Sequence, residues 1–228
     1  MRIVVKIDSA TNREVMENNN KGIVNRIKWI YKLTKHGLFM QGLRNNLAKL
    51  GIDIMPYYYF ISTKENAVPQ QIRGEKITSE VTVFDESDLK LIKESISGLD
   101  QKDFLEDIKN GDICMGIKHN NEIVAYSMIK NKPFYFRKRH FHLTEKDIYI
   151  HSLYTFDKYR GKNISPYMKY KRYGLFEKQG VIYHHAITEY FNKSALRIQQ
   201  KLNAKTDALY LSIMLFKKWT FNYTFKKY

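Results

Sequence analysis

Residues 153–168, LYTFDKYRGKNISPYM, combine a strand-like segment, a short basic loop and the start of a predicted helix. Helix N-termini carry unpaired N–H donors and a partial positive charge, so they bind phosphate groups. Arg160 and Lys162 add full positive charges, and Gly161 lets the backbone approach a ligand closely. The junction predicts a pyrophosphate site, although a purely architectural junction with the arginine on the surface has the same pattern.

A second stretch, NKSALRIQQKLNA, covers residues 192–204 and predicts a helix over residues 194–202. Asn192 precedes this helix and is a preferred N-cap residue. Asn203 follows it, at a position where a left-handed cap is usual and Asn is the second choice after Gly.

The two stretches resemble, in order and spacing, two motifs of the GNAT acetyltransferases. The family's acetyl-CoA-binding motif follows the fourth strand and contains Arg or Gln, two residues, Gly, one residue, and Gly or Ala. Arg160 matches its first position, whereas Asn163 and Ser165 replace its two small residues. Three more residues match ones that are common between the signature positions: Gly161, Lys162 and Ile164. The resemblance covers roughly residues 77–216 and implies that this loop holds the pyrophosphate of acetyl-CoA.

The second stretch resembles the later GNAT motif, on the helix that follows the fifth strand. Five positions match: Asn192, Ala195, Ile198, Lys201 and Leu202. The family's leading Asn contacts the pantetheine arm of the cofactor, so the resemblance gives Asn192 this role and assigns Ser194 to the same site. An N-cap role for Asn192 is the structural alternative, and the two roles are compatible.

The resemblance also implies the fold class, a mixed α/β (α+β) GNAT fold. Its central sheet is mixed but mostly antiparallel, splays after the fourth strand and is flanked by helices. Acetyl-CoA enters the splay, and amides of the fourth strand pair with pantetheine like an added strand. In this sequence those amides belong to Leu153, Tyr154 and Thr155.

The family reaction is direct attack of an amine on the thioester. The enzyme must align the reactants, remove a proton from the ammonium and hold the developing oxyanion. Many members use a tyrosine on the last helix to protonate the departing thiolate. The equivalent residue here is Gln199, which can donate a hydrogen bond but cannot act as an acid. Tyr190, Tyr167 or water would then serve instead.

Two residues are candidate general bases: His151 on the fourth strand and Glu189 at the end of the fifth. Histidine titrates near neutrality, which suits this role. The structural alternatives are a hydrogen-bonded core or edge histidine and a solvated strand end. His184 and His185 are adjacent on a strand and point to opposite faces, so we predict no metal site.

Strands and helices alternate around these motifs, and a strand over 56–62 and a linker over 64–76 precede them. We therefore divide the chain into a basic helical N-terminal extension, residues 1–76, and a GNAT acetyltransferase domain, residues 77–228. The predicted strands of the domain span residues 77–84, 113–129 (a hairpin turning at Asn120-Asn121), 147–156, 181–188, 207–216 and 219–225. The predicted helices follow Asp85 or Ser87, lie around residues 104–108 and span 164–178 and 194–202.

Residues 21–50 contain seven Lys or Arg and no acidic residue, and their apolar residues recur at helical spacing. We predict two short basic helices with a break near Gly37 and Gly42. Such helices can lie on an anionic membrane surface, or they can pack an apolar stripe on the domain and expose their lysines.

The 228 residues carry a formal net charge of +16 and a single cysteine, so no intrachain disulfide can form. There is no signal-peptide pattern and no apolar run long enough to span a membrane, which predicts a cytoplasmic protein, with peripheral membrane contact as an option. Positive charge attracts polyanions, but no nucleic-acid recognition motif accompanies it, so nucleic acid is not expected as the main partner.

Residues 130–146, KNKPFYFRKRHFHLTEK, lie between the third and fourth strands of the domain, on the family's acceptor side. Basic and aromatic groups suit a phosphate-bearing sugar, although a packed surface hairpin has the same composition. Together with the termini, this stretch loosely resembles GNAT proteins of bacterial surface-polysaccharide pathways. We predict an acetyl-CoA-dependent N-acetyltransferase, an enzyme acting on a small or glycan-linked amine such as an amino sugar. The alternatives are a non-catalytic GNAT-like protein that binds nucleic acid or anionic membrane, and an acyltransferase acting on a protein or peptide amine.

Overall fold

A computed structural model describes residues 39–74, 80–96 and 104–228 of the chain. Its helices are α1 (Phe39–Lys49), α2 (Glu86–Ser95), α3 (Phe104–Lys109), α4 (Ile164–Glu177) and α5 (Lys193–Lys201). Its strands are β1 (Ile52–Ser62), β2 (Thr82–Val83), β3 (Ile113–His119), β4 (Glu122–Lys130), β5 (Phe134–Phe136), β6 (Arg139–Phe141), β7 (Asp147–Thr155), β8 (Tyr183–Glu189), β9 (Lys205–Leu215) and β10 (Trp219–Lys227).

Eight strands form one sheet in the order β10-β9-β1-β8-β7-β4-β3-β2, and β5 pairs with β6 in a separate hairpin. Every neighbouring pair in the large sheet is antiparallel except β7 and β8, which run parallel. A parallel neighbour needs a crossover connection, and α4 supplies it between these two strands. The predicted fold class, a mixed and mostly antiparallel sheet with flanking helices, is confirmed.

Local sequence signals account for several element boundaries. Asp85 caps α2 by accepting hydrogen bonds from the backbone N–H groups of Ser87 and Asp88, and the Asp88 side chain completes a capping box. The β3–β4 turn uses Asn120 and Asn121 at φ values of 50° and 61°. Asn tolerates this left-handed region better than most residues, which explains why the predicted hairpin forms there.

Strand β1 corrects the picture of a separate N-terminal extension. The residues predicted as an isolated strand at 56–62 belong to an 11-residue strand between β8 and β9, and Tyr57 at its centre is fully buried. We therefore propose that the folded unit begins at or before Ile52 rather than at residue 77. The second predicted basic helix corresponds to α1, and the first lies outside the described residues, as do residues 77–79 of the predicted strand 77–84.

Helix α4 packs on the sheet through one apolar stripe. Ile164 and Met168 join a buried cluster with Ile117, Val124 and Ala125 of β3 and β4. Each such side chain contributes about 1.5–3 kcal/mol when fully buried. The helix also carries two cations, Lys169 and Arg172, that are buried rather than exposed. No described helix is long and apolar enough to cross a membrane.

Candidate active site

The parallel pair β7 and β8 separates in the middle of the sheet. Their ladder covers only Asp147–Ile150 against Tyr183–Ala186. Beyond it, β8 remains paired with β1 as far as Glu189, while β7 remains paired with β4 as far as Thr155. The cleft between them, called here the central pocket, has a volume of about 560 Å³. The sheet therefore splays after the strand that the sequence analysis identified as the fourth, as predicted.

A β-bulge lies on β7 where the splay begins. The register shifts from Met128 opposite His151 to Tyr126 opposite Tyr154, so Ser127 faces two residues of β7. One of these, Ser152, has a φ of 50°. A bulge leaves a residue outside the ladder and redirects the neighbouring side chains, and bulges are frequent next to active sites. His151, Ser152 and Leu153 all line the central pocket.

The loop from Arg160 to Ser165 connects β7 to α4 with two left-handed residues, Gly161 at φ 83° and Asn163 at φ 63°. Asn163 precedes the helix but makes no side-chain cap hydrogen bond, so the first-turn N–H groups keep their capacity for an anion. Ser165 and Thr155 share a hydrogen bond between their hydroxyl groups at 2.5 Å, which joins the helix start to the strand end. Ile164 is buried and anchors the turn.

Arg160 is half exposed and lies over the end of β7. Its Nε donates to the backbone oxygen of Thr155 at 3.1 Å, and its guanidinium lies 5.3 Å from the centroid of the Tyr154 ring. An ion pair of 2.8 Å links it to Asp157. Lys162 lies in the same loop, with its ammonium 5.7 Å from the Tyr159 ring. The predicted pyrophosphate loop thus presents two cations beside an uncapped helix start.

The segment predicted as a linker is fixed against this loop. Asn163 donates from Nδ2 to the Gln70 side chain and the Gln71 backbone oxygen, and its Oδ1 accepts from Lys201. The backbone N–H of Arg73 donates to the Lys162 backbone oxygen at 2.9 Å. Residues 70–73 of the predicted linker are therefore held against this loop by polar partners.

The structure brings Asn192 to the central pocket and leaves Ser194 outside it. Asn192 lines the pocket, and its Oδ1 accepts from the backbone N–H of Ala195 at 3.0 Å, which makes it the N-cap of α5. Ser194 is exposed and does not line the pocket. Asn203, after the helix, has a φ of 51° and thus adopts the left-handed cap expected of it.

His151 lines the pocket and is hydrogen-bonded to an aspartate, Asp112. Its Nε2 is 3.2 Å from Oδ2 of Asp112, and its Nδ1 is 3.2 Å from the Ser152 hydroxyl. Burial would raise the pKa of Asp112, but hydrogen bonds from His151 and Lys130 outweigh it and hold that pKa below its usual value. An ionised Asp112 only accepts, so Nε2 of a neutral His151 carries the proton and Nδ1 has the lone pair. Such an imidazole can take a proton at Nδ1.

Glu189, the other candidate base, lines the pocket but is already paired. Its Oε2 is 2.7 Å from Nη1 of Arg44 on α1. Arg44 also binds Asp53, which in turn binds Arg137 at 2.5 Å. Burial would raise the pKa of Asp53, but hydrogen bonds from these two arginines lower it. Glu189 therefore already holds a cation, the Arg44 guanidinium.

The candidate acids do not converge on the pocket as a group. Tyr190 stacks on Tyr58 with ring centroids 5.4 Å apart, is 43% exposed and does not line the pocket. Tyr167 is buried in the core cluster under α4. Gln199 lines the pocket and accepts a hydrogen bond from the buried ammonium of Lys169, which lines it too.

The aromatic stretch between β4 and β7 forms the β5–β6 hairpin over the opposite side of the pocket. Phe134, Tyr135 and Phe136 line the pocket. Phe134 stacks on Tyr149 of β7 with a centroid distance of 3.9 Å, which ties the hairpin to the sheet. Tyr135 is 72% exposed, so its ring is available to a ligand.

Three residues of the site were not found from the sequence: Asp112, Lys169 and Arg44. Asp112 and Arg44 act through partners 39 and 145 residues away, and no local pattern signals such pairings. Lys169 had a signal, because it and Arg172 are spaced like the core residues Tyr173 and Phe176 on a helix.

Two solved structures share this fold at low sequence identity. A GNAT-family protein from Novosphingobium aromaticivorans aligns with a TM-score of 0.50 and 12% identity, over 72% of this chain and 66% of that one. A GCN5-related N-acetyltransferase from Kribbella flavida aligns with a TM-score of 0.50 and 13% identity, over 76% of this chain and 63% of that one. This chain thus spans less than two thirds of either protein.

The sequence matches no protein-family model and no curated protein. The fold likeness is nevertheless consistent with the splay and the β7–α4 loop described above, which the GNAT resemblance predicted from two motifs. The chain has the fold of the GNAT acetyltransferases.

Proposed function

We propose that this chain is an acetyl-CoA-dependent N-acetyltransferase that acts on the amine of a small or glycan-linked acceptor. The observation that carries the proposal is the splay of β7 from β8 directly beside an uncapped helix start. A strand edge that leaves its neighbour can pair with an extended pantetheine arm, and a helix N-terminus can hold a pyrophosphate.

The residues present fit coenzyme A. Leu153, Tyr154 and Thr155 would offer backbone groups of β7 to pantetheine, because Tyr154 and Thr155 remain paired with β4 while β8 has diverged. Arg160 and Lys162 would pair with phosphate oxygens, and Asn192 would meet the pantetheine amide from α5. A methyl group built on Gly161 would meet nothing within 4 Å, so the loop is open to a ligand on that side.

His151 would act as the general base. Asp112 holds the ring from behind, so Nδ1 can accept a proton from the acceptor ammonium or from an intervening water.

An amino sugar is the acceptor that this pocket suits best. The exposed ring of Tyr135 offers a flat face to a sugar, and the carboxylate of Glu189 offers a partner to its ammonium group. The two groups line the same pocket as His151. A role in polysaccharide biosynthesis in the cytoplasm is the setting in which such an acceptor would occur.

The first experiment is a calorimetric titration of acetyl-CoA, CoA and desulfo-CoA into the full chain. Arg160→Ala should weaken CoA binding by about 1.5–3 kcal/mol, or roughly 10- to 150-fold, as for a hydrogen bond to a charged group. Arg197→Ala is the matched control, because it removes the same charge from an exposed position on α5 outside the pocket. No saturable binding by the folded wild type would overturn the proposal, and equal affinity of both variants would remove the pyrophosphate role of Arg160.

Peripheral contact with an anionic membrane is a second candidate, favoured by edge strand β10. Trp219, Phe221 and Tyr223 alternate along one face and are each about half exposed, and Phe225, at a β-bulge of the same strand, is 64% exposed. Lysines adjoin both ends of the strand, and exposed aromatic and basic residues together suit a lipid interface. Flotation with phosphatidylserine vesicles should retain the protein at low salt and release it as salt rises, whereas failure to float at low salt would exclude this contact.

A further inference from the structure

Two cations on α4 lie in the interior without a carboxylate partner among the described residues. Lys169 is 1% exposed and Arg172 is fully buried. Arg172 donates from Nη1 to the Ser127 hydroxyl at 2.5 Å, while its Nε and Nη2 have no hydrogen-bond partner in the described part of the chain. Burying an unpaired cation costs several kcal/mol, of the order expected for an ion removed from water. A position that carries this cost invites a functional explanation.

Lys169 differs from Arg172 because it lines the central pocket. Its ammonium donates to Oε1 of Gln199, and Nε2 of Gln199 donates to the Thr188 hydroxyl at 3.3 Å. All three hydrogen-bonded residues, Lys169, Gln199 and Thr188, line the pocket. Gln199 thus occupies the position at which the GNAT resemblance predicts a tyrosine acid, and it is hydrogen-bonded to Lys169.

We propose that Lys169 protonates the departing thiolate of coenzyme A, in the place of the tyrosine acid that Gln199 replaces. This inference rests on the proposed acetyltransferase function. It makes Lys169 a catalytic residue, because its ammonium would touch the sulfur, and Gln199 a positioning residue, because it acts through Lys169.

The chemistry of Lys169 supports this role. Burial, followed by the positive charge of Arg172, lowers the pKa of Lys169 to about 7, so a proton is available near neutral pH. Of the groups facing it, His184 on β8 stays uncharged because burial and then the two nearby cations lower its pKa well below the usual value. Gln199 on α5 is neutral. Glu189 and His151 line the same pocket, but they are paired with Arg44 and Asp112.

The step balances without any further reactant. The amine nitrogen bonds to the thioester carbon, and the carbon–sulfur bond breaks with its electron pair passing to sulfur. The proton on the amine goes to Nδ1 of His151, and a proton on Nζ of Lys169 goes to the thiolate. Lys169 then recovers a proton from water, and His151 releases one, so the net products are the amide and free CoA.

The test is a pH titration of the thiol of bound CoA. Its ionisation is monitored by the absorbance of the thiolate near 232 nm, in difference spectra against the protein with bound desulfo-CoA. A thiolate that forms beside Lys169 would favour the charged ammonium, so the two groups would titrate as a coupled pair, and in the wild type the rise in absorbance should come about one pH unit or more below that of free CoA. Lys169→Met should return it to the free value with CoA affinity changed less than about threefold. Lys171→Met, an exposed neighbour on α4, is the matched control and should behave as the wild type.

The possible outcomes separate the two proposals. If wild-type protein binds no CoA, the acetyltransferase proposal fails and this inference fails with it. If CoA binds but its thiol ionises no earlier than in solution, or equally early in Lys169→Met, the inference alone is overturned. The wild-type titration needs no variant, and burial raises the pKa of Cys114 to about 12, so the protein's own thiol stays silent over the range measured.

Discussion

The central sheet contains two histidine–aspartate pairs that are alike in chemistry and different in surroundings. His185 on β8 places Nε2 2.8 Å from Asp147, and His151 on β7 places Nε2 3.2 Å from Asp112. Nδ1 of His185 lies 2.9 Å from the hydroxyl of the buried Tyr59, whose ring also stacks on the imidazole. Nδ1 of His151 instead meets the Ser152 hydroxyl at a bulge that lines the pocket.

Pairing with aspartate alone therefore does not make a histidine a base. The His185 side chain is 9% exposed, and both its nitrogens are held by groups within the sheet and its packed face. The His151 side chain is 18% exposed and lines the central pocket, and its Nδ1 is bonded to the hydroxyl of Ser152, which lines the pocket too. The same pair therefore stabilises the fold in one place and can accept a proton in the other, depending on whether the histidine lines the pocket.

The largest expected effect separates the two histidines by activity. His151→Asn should lower kcat for acetyl transfer by about 10²–10⁴-fold, because it removes a general base but keeps the side-chain volume similar. The KM for acetyl-CoA should stay within about threefold. His185→Asn should leave kcat within about threefold. Steady-state release of CoA with glucosamine as acceptor measures both, and equal losses in the two variants would refute the distinction.

A smaller effect should reverse the order of the two histidines. His185→Asn should lower the free energy of unfolding by about 1–3 kcal/mol, because it leaves the buried Tyr59 hydroxyl or the Asp147 carboxylate short of a partner. His151→Asn should cost less, since water in the pocket can replace its partners. Urea denaturation followed by circular dichroism gives both values. A larger loss in His151→Asn would show that the pocket histidine is the structural one.

The smallest effect is a pH dependence carried by the two aspartates. Burial would raise the pKa of Asp147, but hydrogen bonds from Thr144 and His185 outweigh it, so its pKa, like that of Asp112, lies below the ordinary 3.8. A carboxyl with a lowered pKa binds protons more readily when the chain is unfolded. Its stabilisation is therefore present above about pH 4 and lost as the pH falls through the folded-state pKa.

Asp147→Asn and Asp112→Asn should each flatten the fall in urea midpoint between about pH 4 and pH 2. Asp157→Asn serves as a control, because Asp157 is largely exposed and its ion pair with Arg160 is a surface pair of little energetic weight. Unchanged acid dependence in both variants would contradict the assigned hydrogen bonds.

Elements with strong local signals were predicted from the sequence. The cap of α2 at Asp85, the Asn120-Asn121 hairpin and the α5 cap at Asn192 all depend on the conformational preferences of a few adjacent residues. The splay was also predicted, because the motif around Arg160 belongs to a family whose sheet opens at that point. The position of β1 in the sheet was not predicted, because the sequence pattern of a strand does not indicate which strands lie beside it.

In the candidate site, too, local features could be predicted from the sequence and contacts between distant segments could not. The β7–α4 loop is a continuous segment, so Gly161, Asn163 and the helix start could be recognised from residue types alone. The pairing of His151 with Asp112, of Glu189 with Arg44 and of Gln199 with Lys169 could not, because each joins distant segments.

Residue types and their nearest neighbours along the chain were enough to predict which residues adopt left-handed backbone angles, begin a helix or carry a charge. Which of the two histidines lines the pocket and which lysine is buried depend instead on the folded arrangement of distant segments. Those outcomes depend on burial and on partners that the sheet order brings together, and no local pattern encodes either.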